Sequence, residues 1–194
     1  VGNCMIDTLK KFESSFDSTN YGKYDLDYKN YVMITLHRPS NVDDVDKLKV
    51  LCDIFNEISE DIDVLFPMHP RTKKIIHQKN IYLSSNIKIS EPLSYIRFLD
   101  LINSSKMVIT DSGGIQEETT YLNVQCITVR DNTERPVTID LGTNHLVGTD
   151  RKQIIKTFNK IMLGQIKEGG IPDMWDGNTG KRIAKIIFDT LTMI

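Results

Sequence analysis

The apolar positions of this chain change spacing repeatedly, and each change marks an element. Met5, Ile6, Leu9, Phe12 and Phe16 recur at helical intervals, so an amphipathic helix is predicted over residues 3–16. Residues 17–30 are polar and rich in Tyr, Asp and Lys, the composition of a loop. Residues 31–36 (YVMITL) form a continuous apolar run, the mark of a buried strand. Asp43 or Asp44 then offers a cap for a helix whose stripe runs through Val45, Leu48, Cys52, Phe55 and Ile58. Further strands are predicted at residues 63–66, 86–89, 106–110 and 124–129, with a short sixth at 144–148. Between them fall a short helix carrying Ile75 and Ile76, a helix capped at Ser94 and bearing Ile96, Leu99 and Ile102, and a helix over residues 115–122. An amphipathic helix then runs from Asp150 to about Leu163, Gly169-Gly170 interrupts the chain, and a last helix covers residues 179–192.

Six short apolar strands alternating with helices predict an α/β fold, a parallel sheet covered on both faces. Right-handed crossovers make it a doubly wound, Rossmann-like domain. In such sheets ligands bind beyond the carboxyl ends of the strands. His37, His69, Glu91, Ser112 and Arg135 each follow a predicted strand, so all five should gather along one edge. That edge is where a ligand is expected.

The densest stretch there is Thr110-Asp111-Ser112-Gly113-Gly114-Ile115-Gln116-Glu117-Glu118. A Ser-Gly-Gly turn between strand and helix leaves backbone N–H groups open at the helix start, with no Cβ to block an incoming anion. Glu118, about one turn further on, can accept hydrogen bonds from a sugar diol joined to that anion. A plain Gly-rich turn with acidic residues near a helix start is the competing reading. Asp111 is read as orienting the turn, and Gln116 has no role that the sequence assigns.

Composition narrows the classes. Hydrophobic residues are 40% of 194 positions, enough for the core of one domain. The formal net charge is −2, and no basic stripe points to nucleic acid or an anionic membrane surface. No apolar run approaches the roughly 18 residues of a membrane helix. Cys4, Cys52 and Cys126 are odd in number and far apart, which predicts buried free thiols in a reducing cytoplasm rather than a disulfide or metal site.

Taken together, Thr35-Leu36-His37-Arg38, Met68-His69-Pro70, the stretch from Thr110 to Glu118 and Arg130-Asp131-Asn132-Thr133-Glu134-Arg135-Pro136 resemble the non-hydrolysing UDP-N-acetylglucosamine 2-epimerases. Leu146-Val147-Gly148-Thr149 and Trp175-Asp176-Gly177 fit the same pattern. The resemblance covers essentially the whole chain but only the second half of the family's architecture. It implies the C-terminal half of a GT-B-type two-domain enzyme, with the N-terminal domain of the family outside this chain. Residues 1–16 would be a linker or hinge helix and 17–194 the UDP-binding Rossmann-like domain. The implied reaction interconverts UDP-GlcNAc and UDP-ManNAc, with no cofactor and no metal. The intact protein would be a cytoplasmic homodimer serving polysaccharide biosynthesis for the cell envelope.

The resemblance also implies residue roles. Ser112, Gly113 and Gly114 match the diphosphate-binding turn, Glu118 the ribose-binding acid and Arg135 a further ligand contact. Phe98 and the backbone at Leu93 match positions that hold the uracil. The family often has Gln where Leu93 stands. His37 matches an active-site histidine; an imidazole suits either proton transfer or charge stabilisation on the diphosphate, and stabilising the leaving UDP is the expectation. Arg38 would lie beside it as a phosphate contact. His69 is either a ligand contact or the shaper of a turn, because Arg71-Thr72 replace the residues that often follow in the family. His77 and His145 are expected to be structural or solvated, and Glu91 and Glu117 to cap or support. The acids that work on carbon 2 come from the family's other domain, so this chain alone is expected to be inactive. It should also expose apolar positions of its last helix, Ile183, Ile186, Ile187 and Leu191. Alternatives are a hydrolysing epimerase releasing ManNAc and UDP, a GT-B glycosyltransferase, and a non-catalytic nucleotide-sugar binding module.

Overall fold

The structure, a computed structural model, describes residues 1–17 and 19–192. Its centre is a six-stranded sheet: β1 Tyr31–Thr35, β2 Asp63–Pro67, β3 Ile87–Ser90, β4 Met107–Thr110, β5 Gln125–Thr128 and β6 Asn144–Leu146. Every pairing is parallel, in the order β3-β2-β1-β4-β5-β6. The doubly wound Rossmann-like arrangement expected from the alternating pattern is therefore present.

Strand alternation divides the core in two. Val32 and Ile34 of β1 face one side, where they pack with Leu48, Phe55 and Ile58 of α3 (Val45–Asp61) and Ile154 and Phe158 of α8 (Arg151–Met162). Phe55 and Phe66 meet there edge to face, with ring centroids 6.1 Å apart. Tyr31 and Met33 face the other side, against Leu9 of α1 (Cys4–Glu13), Leu99 and Ile102 of α5 (Tyr95–Ser104) and Ile115 of α6 (Gly113–Tyr121). Fully burying such a side chain stabilises the fold by about 1.5–3 kcal/mol. Both faces are covered, which is why the strands carry no polar alternation.

Several boundaries differ from the pattern. The first helix stops at Glu13, where Ser15 N–H turns back to the Phe12 carbonyl at 2.8 Å in a tighter turn. Phe16 still packs on the core from beyond that end. The expected loop at 17–30 contains a 3-10 turn, Asn20–Tyr24, and Asn20 Nδ2 donates to the buried Asp100 at 2.6 Å. Residue 18 lies outside the described residues. Two four-residue helices appear that periodicity could not reveal, α2 Pro39–Val42 and α7 Val137–Asp140. Asp44 caps α3 through Lys47 N–H (3.1 Å), while Asp43 pairs with Arg71. Ser94 holds the cap position of α5 without a side-chain hydrogen bond. Cys52 and Cys126 are buried free thiols as expected, but Cys4 is exposed, since it opens a helix whose inner face is taken by Ile6 and Leu9.

The last helix, α9 (Thr179–Thr192), is clasped by the first. Asp7 of α1 accepts from Thr179 N–H at 3.1 Å and Gly180 N–H at 2.8 Å, capping α9 from another element. Ile186, Ile187, Phe188 and Leu191 are exposed along it. The expected apolar face is there, with Ile183 only partly covered. Among the described residues no helix is long and apolar enough to cross a membrane.

Candidate functional site

The strand order reverses between β1 and β4, and the chain leaves their carboxyl ends in opposite directions. A crevice opens at such a switch point. Residues 37–41 follow β1 and residues 111–112 follow β4, so both loops meet there.

Asp111, fully buried, joins them. Its carboxylate accepts from His37 N–H (3.1 Å), Arg38 N–H (3.0 Å) and Asn41 Nδ2 (3.3 Å), and His37 Nδ1 stands 3.1 Å from the same group. Arg38 Nε donates to the Asp111 carbonyl at 2.9 Å. Three donors and an imidazole are what lets a carboxylate remain in a dry site. Pro39 at the first position of α2 turns the chain so that the His37 and Arg38 amides point back at it.

The start of α6 is beside this anchor. Ser112 N–H donates to Thr110 Oγ1 (3.0 Å), and the Ser112 side chain does not cap the helix. The Arg135 guanidinium lies on the Cα of Gly113: a Cβ built there would stand 2.8 Å from Nη1. Only glycine permits that approach. Glu117 Oε2 is 3.2 Å from Arg135 Nε, an ion-pair distance but not aligned as a hydrogen bond, so the buried Nε–H stays unpaired. Arg135 Nη1 also lies 3.4 Å from Glu134 Oε2, while Arg130 holds Glu134 at 2.7 and 3.0 Å. That pairing keeps the Glu134 carboxyl low, at about 2. An open helix start plus a guanidinium suits an anion.

Glu118, one turn in, is almost completely buried, and burial pushes its carboxyl up to about 7. Tyr95, the first residue of α5, donates its hydroxyl to Glu118 Oε1 at 3.0 Å, which opposes the rise, and neighbouring Glu117 adds to it. Burial beside Glu118 pushes the Tyr95 phenol up as well.

A cleft of about 200 Å³ beside the anchor is lined by Thr35, His37, Pro67, His69, Pro92, Leu93 and Phe98. Phe98 is only partly buried against the core, so its ring serves both core and cleft. His69 caps α4 (Pro70–Gln78), its Nδ1 accepting from Arg71 N–H at 3.2 Å. It shapes that turn and also lines the cleft. Arg38 looks instead into a polar cavity of about 240 Å³ shared with Asn41, Lys47, Arg130, Asp131 and Thr149.

The edge thus gathers His37, His69, Leu93 and Phe98 in one cleft, and Ser112, Gly113, Gly114 and Arg135 at one helix start, with Glu118 behind. Glu91 faces Lys73 in an exposed ion pair and caps nothing, and Glu117 supports Arg135. His145 bonds Gln125 at 3.0 Å, and burial near Lys167 lowers it to about 4, a structural role. Tyr95 and Asn41 are parts of this edge that sequence reasoning left out, and Gln116 is one to which it assigned no role.

Fold and site define a Rossmann-like domain with a glycine-opened helix start, a buried acid one turn behind it and an aromatic-lined cleft at the switch point. The profile described as UDP-N-acetylglucosamine 2-epimerase matches residues 1–188. The chain belongs to that family. A UDP-N-acetylglucosamine 2-epimerase of Methanocaldococcus jannaschii is 40% identical over 198 residues, covering 96% of this chain and 53% of the relative. One from Methanococcus maripaludis is 38% identical over 198 residues, covering 97% and 54%. The crystal structure of the M. jannaschii UDP-GlcNAc 2-epimerase in complex with UDP-GlcNAc and UDP superposes with a TM-score of 0.83, at 35% identity, covering 97% of this chain and 54% of that one. The chain spans about half the length of these relatives and corresponds to their carboxyl-terminal part.

Proposed function

We propose that this chain is the UDP-binding half of a non-hydrolysing UDP-N-acetylglucosamine 2-epimerase. The observation that carries the reading is Asp111. One buried carboxylate fixes the His37 loop to the Ser112–Gly114 turn, so an acid/base group and an anion grip share one anchor. Ser112 to Gly114 and Arg135 would hold the diphosphate, Glu118 the ribose diol, and the cleft at Leu93 and Phe98 the uracil. Arg38 would be a phosphate contact reached from the polar cavity that its side chain faces. His69 shapes the cleft wall. Residues 1–16 would join this half to the other.

The reaction is redox-neutral. The carbon-2 proton is removed and the bond between carbon 1 and the UDP oxygen breaks, giving a 2-acetamidoglucal and UDP. A proton delivered to the opposite face of carbon 2, with re-formation of the carbon 1–oxygen bond, gives the epimer. His37 and Arg135 would stabilise charge as it grows on the departing diphosphate. The groups that move the carbon-2 proton would come from the other half, which would also cover the apolar face of α9. The test is the product formed from UDP-GlcNAc by the intact two-domain protein. UDP-ManNAc is expected; free ManNAc with UDP would replace this reading by the hydrolysing one, and transfer to an added acceptor by a glycosyltransferase.

A further inference from the structure

Gln116 points inward from α6 and is fully buried, and the proposed chemistry gives it no role of its own. Its Nε2 donates to the Ser112 carbonyl at 3.1 Å. A carbonyl can only accept, so the amide orientation is forced and Oε1 must face the other way. There it accepts from Thr133 Oγ1 at 2.6 Å and Asn144 Nδ2 at 3.2 Å.

These contacts close a ring around the peptide of Arg135. Thr133 Oγ1, having donated to Gln116, accepts from Arg135 N–H at 3.1 Å. On the other side Thr138 Oγ1 donates to the Arg135 carbonyl at 2.7 Å and accepts from Asn144 Nδ2 at 3.1 Å. Asn144 is itself fixed, its Oδ1 accepting from Thr128 Oγ1 at 2.6 Å. Both backbone polar groups of Arg135 are therefore held by hydroxyls that meet at Gln116 and Asn144. The third contact of Gln116, to Ser112, ties the same ring to the turn on which the guanidinium lies.

We infer that Gln116 is the positioning residue that locks Arg135 over the Ser112–Gly114 turn, and so sets the grip on a nucleoside diphosphate. The inference rests on the diphosphate reading of that turn. A buried ring is an effective device for this purpose, because removing one member strands its partners without water to replace it. The guanidinium itself is held by charge more than by aligned hydrogen bonds: its Nε–H is unpaired although Glu117 Oε2 lies 3.2 Å away, and its Glu134 partner is exposed.

The test is calorimetric binding of UDP and uridine to this chain, as wild type, Gln116→Met, Arg135→Ala and the double variant. Loss of one buried polar partner corresponds to roughly a tenfold weakening. Gln116→Met is expected to weaken UDP by about tenfold and uridine by less than about twofold. In the Arg135→Ala background it should change UDP binding by less than about twofold, since the group it positions is gone. Equal weakening of UDP and uridine, or undiminished weakening in the Arg135→Ala background, overturns the positioning role and leaves the diphosphate reading intact. Wild type that fails to prefer UDP over uridine, or an Arg135→Ala variant that keeps the preference, removes the diphosphate reading and this inference with it. Should Gln116→Met not fold, Thr133→Val breaks the same ring from its part-buried loop side and carries the same expectations.

Discussion

The ribose contact proposed for Glu118 would set ligand binding against stability, and Glu118→Gln separates the two. Burial raises its carboxyl from an ordinary 4.5 to about 7. The folded chain therefore holds this proton more tightly than the unfolded chain. The stabilising contribution is complete below pH 4.5 and is lost as pH rises through 7. The gap corresponds to about 3 kcal/mol of stability forfeited once the pH exceeds 7. Glutamine keeps the shape and an oxygen to accept from Tyr95, and it never ionises. Urea denaturation should find Glu118→Gln more stable than wild type by about 3 kcal/mol at pH 8 and by less than about 1 kcal/mol at pH 5. At pH 8 the midpoint of melting should rise by about 6–12 °C. The comparison must be between the two proteins, because His145, held down at about 4, pulls the wild-type profile the opposite way over part of the same range. The same variant should bind UDP roughly tenfold more weakly, through loss of a charged acceptor for the ribose diol. A stability difference that is equal at pH 5 and pH 8 would refute the burial argument.

Asp111→Asn should destabilise the chain by about 2–3 kcal/mol, because an amide turned toward the His37 and Arg38 N–H groups loses an acceptor and strands a buried donor; a urea midpoint unchanged from wild type would show that the anchor matters little. Gly113→Ala places a Cβ where the Arg135 guanidinium now lies, 2.8 Å from Nη1. It should weaken UDP by roughly tenfold while changing stability by less than about 1 kcal/mol, since the glycine is helical and alanine favours a helix; tight UDP binding by this variant would show that the close approach is dispensable. Ile187→Lys together with Phe188→Ser should reduce self-association of this chain in light scattering, because both side chains stand exposed on α9. Scattering that is the same for variant and wild type would mean that this face does not drive association.

The parts of this protein legible in its sequence are those whose signal is local. Six apolar runs between amphipathic helices specify a parallel sheet, because a strand buried on both faces has no polar alternation to display. The Ser-Gly-Gly turn, the acid one turn later and the residues following each strand could likewise be placed on one edge from spacing alone. Short elements escaped, since α2 and α7 are one turn each and have no period. So did the contacts that hold the site together. His37 meets Asp111 across 74 positions and Tyr95 meets Glu118 across 23; His37, Asp111 and Glu118 stand out locally, but nothing in the local pattern says what they meet or marks Tyr95. Gln116 is the clearest case: its letter suits a solvated helix surface, yet its ring closes only when the loop after β5 and the start of β6 fold onto α6.

This division has a physical cause. Groups that meet a ligand must present particular chemistry at an exposed edge, and that chemistry is visible residue by residue. Groups that hold them need only complementary donors and acceptors in a dry interior, which many residue types can supply and only the tertiary fold can select. At this edge the supporting groups are buried more deeply than the groups they support. Asp111 and Gln116 are wholly enclosed, while the His37 side chain is 46% exposed and that of Arg135 30% exposed. Substitutions at the enclosed pair should therefore alter ligand geometry and folding together. Substitutions at His37 and Arg135 should alter ligand binding more than stability, because both side chains are partly exposed and Asp111 keeps three donors when the imidazole is removed.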